Sequence, residues 1–523
     1  MNLTACGKSD GKDRVLKYDI SDNPATLDPQ QANEPNSDII IENVYMGLMA
    51  INADGSVKAA AATDFVVSDD GLKYEFKLRN DIYWVNSEGF QRQCTAKDFV
   101  YGFKRLFLPE TSAPRACEYY CIKNSEKFHN GEITSPDLLG VKAKGDFELE
   151  ITLEYANPRL PEMLAEPPAM PCNEEFFLQS QGKYGLSAEC TPSNGSFYVK
   201  SWTYDPHAAT DTNNLILKRN EKNAESVEIC PSGLNFFIED EEDFIDDFLN
   251  GDINCVAVGI SDKSRVKGKN KCEEFCNITC GLVFNTDFKL FQNADFRRAL
   301  SRLVDRETVM KAIPDYEAAG GIVPKQVSLL EQSYRAEVGD CELLDYNLEK
   351  ARTLFQSAKS SLDMELFTGA VIIVPNTVAE TAVSYIMQEW QREFGFYCVV
   401  QVLGEGEYRT RLRDGDFNIA LLEISGDYNS PAAYLEQFTT GSSDNYSNVL
   451  DNAFDAKFVS ANSAAELSEG AGIFLQAEQI LIDNAEFVPL YYKNEYFFTG
   501  ADISDLLYNP FTKTVNFTSA KRF

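Results

Sequence analysis

At 523 residues the chain is too long for one ordinary domain of roughly 100–200 residues, and its 44% hydrophobic, 12% aromatic and 25% charged residues describe a folded globular protein, not a disordered one. Eighty-one acidic residues against 48 basic ones give a formal charge of −33, which repels phosphate backbones and anionic headgroups and excludes nucleic acid as a partner. No apolar run reaches the ~18–20 residues of a membrane-spanning helix, so the expected contact with a membrane is a lipid anchor alone.

That anchor is expected at the start. Leu3-Thr4-Ala5-Cys6 places small residues before a cysteine, as at the end of a bacterial lipoprotein signal, where the cysteine is lipidated and becomes the mature N-terminus. A chance cysteine is the alternative. Lys8 to Arg14 is polar and suits a flexible tether, here residues 1–13. The basic and apolar parts of a signal are not in the sequence, and we expect them upstream.

Along the body, strand-like and helix-like patterns alternate. Tyr74, Phe76 and Leu78 recur with period two and predict a half-buried strand over 73–79; Leu149, Ile151 and Leu153 predict another. The proline-rich stretch 157–171 reads as a surface connection. A helix is expected from Phe296 to about Ile313, bounded by Pro314. Asn347 suits the N-cap of a second, with Leu348, Ala351, Phe355 and Ala358 inward. A third carries Val378, Ala382, Ile386, Trp390 and Phe394 on one stripe. Residues 396–402 read as a buried strand, Tyr408 lies in a short helix, and 416–422 is a further strand. This order predicts an α/β lobe with a largely parallel sheet. The Gly/Ser/Asn stretch 441–448 reads as a loop.

Catalytic motifs are sparse. His129 and His207 are the two histidines, both in loop-like, polar surroundings, and no nucleophile elbow accompanies them, which argues against a hydrolase. Cys272, Cys276 and Cys280 would line one face of a helix, yet the segment runs on into a strand-like stretch, so neither a metal nor a cofactor is expected. Thirteen cysteines permit disulfides, but apolar settings such as Tyr397-Cys398-Val399-Val400 favour packed free thiols.

Several motifs in fixed order then identify a family. These include Asn23-Pro24-Ala25-Thr26-Leu27-Asp28-Pro29, the stretch from Ala61 to Trp84, Thr95-Ala96-Lys97-Asp98-Phe99-Val100, Ser193-Asn194-Gly195-Ser196-Phe197, Phe284-Asn285-Thr286 and Phe487-Val488-Pro489-Leu490-Tyr491-Tyr492. From about Leu16 to Phe511 the chain resembles the oligopeptide-binding proteins of bacterial ABC importers. The resemblance implies an α/β, three-domain periplasmic-binding-protein-like fold of type II, the large cluster C class, with two lobes around a ligand cleft that closes. Domain I would comprise 14–52, 187–282 and 491–523, domain II 53–186 and domain III 283–490. It also implies a monomer that captures short peptides and delivers them to permease subunits. A non-peptide solute such as a nickel chelate or glycan, or a receptor role for peptide signals, stays open.

Site residues follow from the resemblance alone. Gly426-Asp427-Tyr428 matches a motif whose aspartate pairs with the peptide's terminal ammonium; the alternative for Asp427 is a turn residue. Ile424, Ser425 and Gly426 would offer one backbone edge to the peptide, and Asn33 to Asn36, with Pro35, the other. Asn376 and Tyr492 coincide with pocket positions, and Tyr408 replaces a Trp of relatives; core packing is the alternative for both tyrosines. Ile424, Glu423 and Arg115 depart from the family, and the two charges are expected to narrow the ligands accepted.

Overall fold

The computed structural model describes residues 15–52, 56–207, 212–223, 231–239, 244–266, 268, 270–329, 332–362, 364–464 and 467–522. Cys6 and Cys230 lie outside them. Two compact units emerge: the described residues of Met1–Glu273 with Tyr496–Phe523 form unit 1, and those of Glu274–Glu495 form unit 2.

Unit 1 begins with strand β1 (Val15–Ile20) and helix α1 (Pro35–Val44), then β2 (Ala62–Val67), β3 (Lys73–Leu78), α2 (Ala96–Phe107), β4 (Val141–Gly145) and β5 (Glu148–Thr152). The last four strands form an antiparallel sheet in the order β2-β3-β5-β4. β3 buries Tyr74, Phe76 and Leu78 on one face, as the alternation predicts. β5 breaks its pattern, because Glu150 is buried between Leu149 and Ile151; Lys73 at 2.8 Å and Lys144 at 3.0 Å neutralise it.

After β6 (Phe197–Thr203), β7 (Asn214–Arg219) and β8 (Gly233–Ile238), a second sheet is complete in the order β1-β8-β7-β6, with β1 parallel to β8. α3 (Ile245–Asn250) and β9 (Cys255–Gly259) follow. The N-terminal connection is fastened to α2 by a buried pair: Arg105 Nη2 donates to Asp28 Oδ2 at 2.5 Å and Nη1 to Asp28 Oδ1 at 3.0 Å, with the guanidinium 4.0 Å from the Phe177 ring centroid. The proline-rich stretch is not a surface connection, since Pro167 to Cys172 is buried. Its backbone is satisfied from within: Gln30 Nε2 donates to Met170 O at 2.9 Å, and Cys172 N donates to Asp98 O at 3.0 Å.

The chain enters unit 2 within β10 (Lys271–Phe284) and leaves it within the last long strand. In between lie α4 (Ala294–Ser301), α5 (Arg306–Ala312), α6 (Leu348–Ala358), β11 (Thr368–Val374), α7 (Thr377–Phe394), β12 (Tyr397–Val402), α8 (Glu405–Arg413), β13 (Ile419–Ser425), α9 (Pro431–Leu435), α10 (Leu467–Asp483) and β14 (Phe487–Thr499). The strand order is β14-β10-β13-β11-β12. β11 runs parallel to β12 and β13, but β10 runs antiparallel to β13, so the sheet is mixed, not largely parallel.

Two further expectations change. The helix expected over 296–313 is two helices, because Asp305 caps α5, accepting from Thr308 N at 3.2 Å and Thr308 Oγ1 at 2.7 Å. β12 is an exposed sheet edge, with Tyr397 and Val399 about half exposed, instead of a buried strand. Caps and stripes otherwise hold. Asn347 caps α6 over Ala351, Phe355 and Ala358, and α7 buries Ala382, Ile386, Trp390 and Phe394. Phe355 stacks on Phe394 with centroids 4.3 Å apart, and Trp390 Nε1 donates to Leu300 O at 2.9 Å.

Inside unit 2 the Glu478 carboxylate is wholly buried. It pairs with Arg335 and accepts from Ile322 N at 2.5 Å and Val323 N at 3.0 Å. A Cβ at Gly321 would meet Arg335 Nη2 at 2.2 Å and Glu478 Oε1 at 2.5 Å, so only glycine fits beside the pair. Glu478→Gln strands the guanidinium without a counter-charge and is expected to lower unfolding free energy by about 3–5 kcal/mol in urea denaturation. Lys311→Ala, which removes an exposed i,i+4 partner of Glu307, should leave the midpoint in place. Equal effects for the two variants would refute this account.

Candidate functional site

Ile419, Ala420, Leu421 and Leu422 are all buried, and this apolar run makes β13 a central strand. Along its whole length it pairs with β10, from Phe284↔Ile419 to Ile278↔Ser425. On its other side, among the described residues, it pairs with β11 only at Ile419 and Ala420. The strand therefore runs on past β11 through Glu423, Ile424 and Ser425. Some of that edge is already used: Tyr408 donates its hydroxyl to Leu421 O at 2.6 Å, and Gln437 Nε2 donates to Ser425 O at 2.7 Å.

Where β13 ends, Gly426 is packed hard. A Cβ there would stand 2.8 Å from both the Ala433 Cβ and the Tyr434 ring, while Tyr434 donates its hydroxyl to Asn277 O at 2.6 Å. Close approach of this backbone to α9 requires glycine. Asp427 follows, exposed to solvent. The bend beyond it is fastened by its neighbours: Ser328 N donates to Asn429 Oδ1 at 2.8 Å, and Ser430 caps α9.

Glu423 is half-buried beside this edge. Lys493 of β14 donates to its Oε2 at 2.6 Å, and Asn376 Nδ2 reaches its Oε1 at 3.5 Å. Burial works against the Lys493 charge, but Glu423 outweighs it and holds the ammonium above its ordinary range. Asn376 has a second duty, since its Oδ1 caps α7 by accepting from Ala379 N at 2.9 Å. Tyr408 and Tyr492 are buried with their hydroxyls engaged by backbone; Tyr492 accepts from Gly320 N at 3.0 Å.

The remaining expected residues belong to unit 1. Asn33 and Pro35 are exposed, but Pro35 opens α1 and Glu34 is its N-cap residue, so this segment is a helix start instead of an extended edge. Arg115 is enclosed by acids: Glu118 at 2.9 and 3.0 Å, Glu166 at 2.8 Å and Asp38 at 3.7 Å. Burial opposes the Arg115 charge, and Glu166 and Glu118 overcome it. Burial in turn pushes the Asp38 carboxyl up to about 6 and that of Glu166 up to about 7. The two charged departures from the family, Glu423 and Arg115, are thus paired charges, with the partners Lys493, Asp38 and Glu166 missed in the sequence. No local motif marks them; each comes from a distant segment.

His129 is half-buried, not loop-exposed, and its Nδ1 lies 2.8 Å from the Tyr120 hydroxyl, while His207 is exposed. Cys272, Cys276 and Cys280 lie along β10, where four residues span about 13 Å, so they do not converge on one ion. The eleven described cysteines are free thiols.

Comparison with known proteins matches residues 56–446 to the family described as bacterial extracellular solute-binding proteins, family 5. A dipeptide-binding protein of Lactococcus lactis is 24% identical, covering 93% of this chain and 90% of its own. The oligopeptide-binding protein OppA of Bacillus subtilis is also 24% identical, covering 98% and 94%. The solved structure of Listeria monocytogenes OppA bound to peptide superposes with a TM-score of 0.71 at 21% identity, over 98% of this chain and 99% of that one. The chain therefore belongs to the family 5 bacterial extracellular solute-binding proteins.

Proposed function

We propose that this protein is the substrate-binding component of an ABC importer, that it captures short peptides without chemically changing them, and that it passes them to permease subunits while tethered through a lipidated Cys6. The observation that carries this reading is the C-terminal half of β13, a strand edge extending beyond β11 and delivering the exposed Asp427 at its end. Backbone of this kind pairs with any peptide regardless of sequence, and a carboxylate at its end suits the terminal ammonium. Glu423 of the same strand, with Lys493 of β14, and Arg115 with its acids in unit 1, supply the selectivity among peptide side chains. The three-domain partition belongs to this reading. Its support is that the two four-stranded sheets of unit 1 fall separately within the ranges assigned to domains I and II.

Asp427→Asn is expected to weaken a bound peptide at least a hundredfold, roughly 2.8 kcal/mol, by calorimetry. N-acetylation of the peptide should weaken wild-type binding comparably and add little in the variant, since both changes delete one contact. Additive losses, or no loss on acetylation, would mean that the ammonium is held elsewhere.

Capture by lobe closure is tested in solution. Saturating peptide should decrease the scattering radius and stabilise the fold by about 2.7 kcal/mol at a hundredfold excess over Kd; an unchanged radius and melting curve refute closure. For the anchor, Cys6→Ser in the gene product with its native leader should release the protein from the detergent phase. Equal membrane retention rules lipidation at Cys6 out.

A further inference from the structure

β1 and β8 pair in parallel, with Asp19 opposite Phe237 and Ile20 opposite Ile238, so Asp19, Phe237 and then Glu239 fall on one face of the sheet. Glu239 N donates to Ile20 O at 3.1 Å and continues the pairing by one residue. α3 closes over that face. Its Ile245 and Phe248 pack with Val256, Val258, Tyr496 and Phe498, and Phe237 lies against the cluster. This packing carries Asp247 to the two strand carboxylates, and one oxygen from each of Asp19, Glu239 and Asp247 lies within 4.8 Å of the others.

Three carboxylates at this separation repel one another, and Asp19 cannot escape into water. It is 4% exposed, and among the described residues its Oδ2 has no hydrogen-bond partner. A buried charged oxygen left unsatisfied keeps its whole desolvation penalty. Neighbouring groups do not relieve it: Asp252 adds a fourth negative charge, the buried Cys255 thiol is neutral, and Lys17, whose ammonium sits 5.7 Å from the Phe237 ring centroid, supplies one positive charge. Burial, then Glu239, Asp247 and Asp252, push the Asp19 carboxyl up to about 7.

We propose that Asp19, Glu239 and Asp247 form a divalent cation site of calcium type, a ligand not expected from the sequence, which fastens the N-terminal strand, the end of β8 and α3 together. All donors are hard carboxylate oxygens, which favour calcium or magnesium over zinc or copper. Calcium–oxygen distances of about 2.3–2.6 Å let one ion bridge oxygens up to about 5 Å apart, and three carboxylates with waters reach its six to eight ligands. Magnesium, at about 2.0–2.1 Å, requires tighter convergence.

The test uses the full chain stripped with a chelator at pH 8, titrated with calcium chloride by calorimetry and followed by thermal melting. One site is expected, with a rise in Tm and a smaller response to magnesium chloride. Asp19→Asn should raise the metal-free Tm, by removing the uncompensated charge, and abolish the calcium response. Should that variant fail to fold, the half-buried Asp247→Asn decides, with an expected loss of at least tenfold in calcium affinity. Absence of heat and of any Tm shift in the wild type at about 10 mM calcium chloride, above the ~10⁻³ M of weak extracellular calcium modules, overturns the proposal. So does a Tm shift that survives intact in the folded variants, since the ion would then act on the acidic surface at large.

Discussion

A carboxylate that leaves water must find a cation or give up its charge, and a chain with 81 acidic residues against 48 basic ones meets that demand repeatedly. Its long-range fastenings are the answers. Arg105 holds Asp28 and so ties the N-terminal connection to α2. Arg335 holds Glu478 at the centre of unit 2, Lys73 and Lys144 flank Glu150 inside a sheet, and Lys493 meets Glu423. At Asp19, acids close in without a matching set of bases among the described residues, and the cation proposed there would supply the missing charge.

The same constraint acts along β13. Glu423 and Arg115 looked, from the sequence, like unpaired charges that would narrow the ligands accepted. Each is instead neutralised within its own unit, Glu423 by Lys493 and Arg115 by Glu118, Glu166 and Asp38. A paired charge discriminates more gently than a bare one, since an incoming side chain competes with an existing partner and does not fill a vacancy. Asp427 is exposed at the end of the same strand, directly after Gly426, whose backbone is packed against α9.

Local chemistry was readable wherever a residue and its partner lie within a few positions. Asn347 and its helix, the Ala382-Ile386-Trp390-Phe394 stripe and the Tyr74-Phe76-Leu78 alternation all involve near neighbours. The errors share an opposite cause. Nothing near Tyr397 in the sequence says that β12 will be an edge, and nothing near Pro168 says that Gln30 will reach its carbonyl from 138 residues away. The break between α4 and α5 was the exception; Asp305 and Thr308 are a visible cap that the longer apolar pattern concealed.

By itself the sequence determined the family and the helices and strands with strong periodicity, because order and spacing along the chain are enough for each. Tertiary structure alone decided that β13 outruns β11, that Lys493 answers Glu423, and that Asp19, Glu239 and Asp247 converge. Those outcomes depend on which strands become neighbours and which face a helix covers. Pairing between segments hundreds of residues apart is fixed by the burial of the whole core, and no local pattern encodes it.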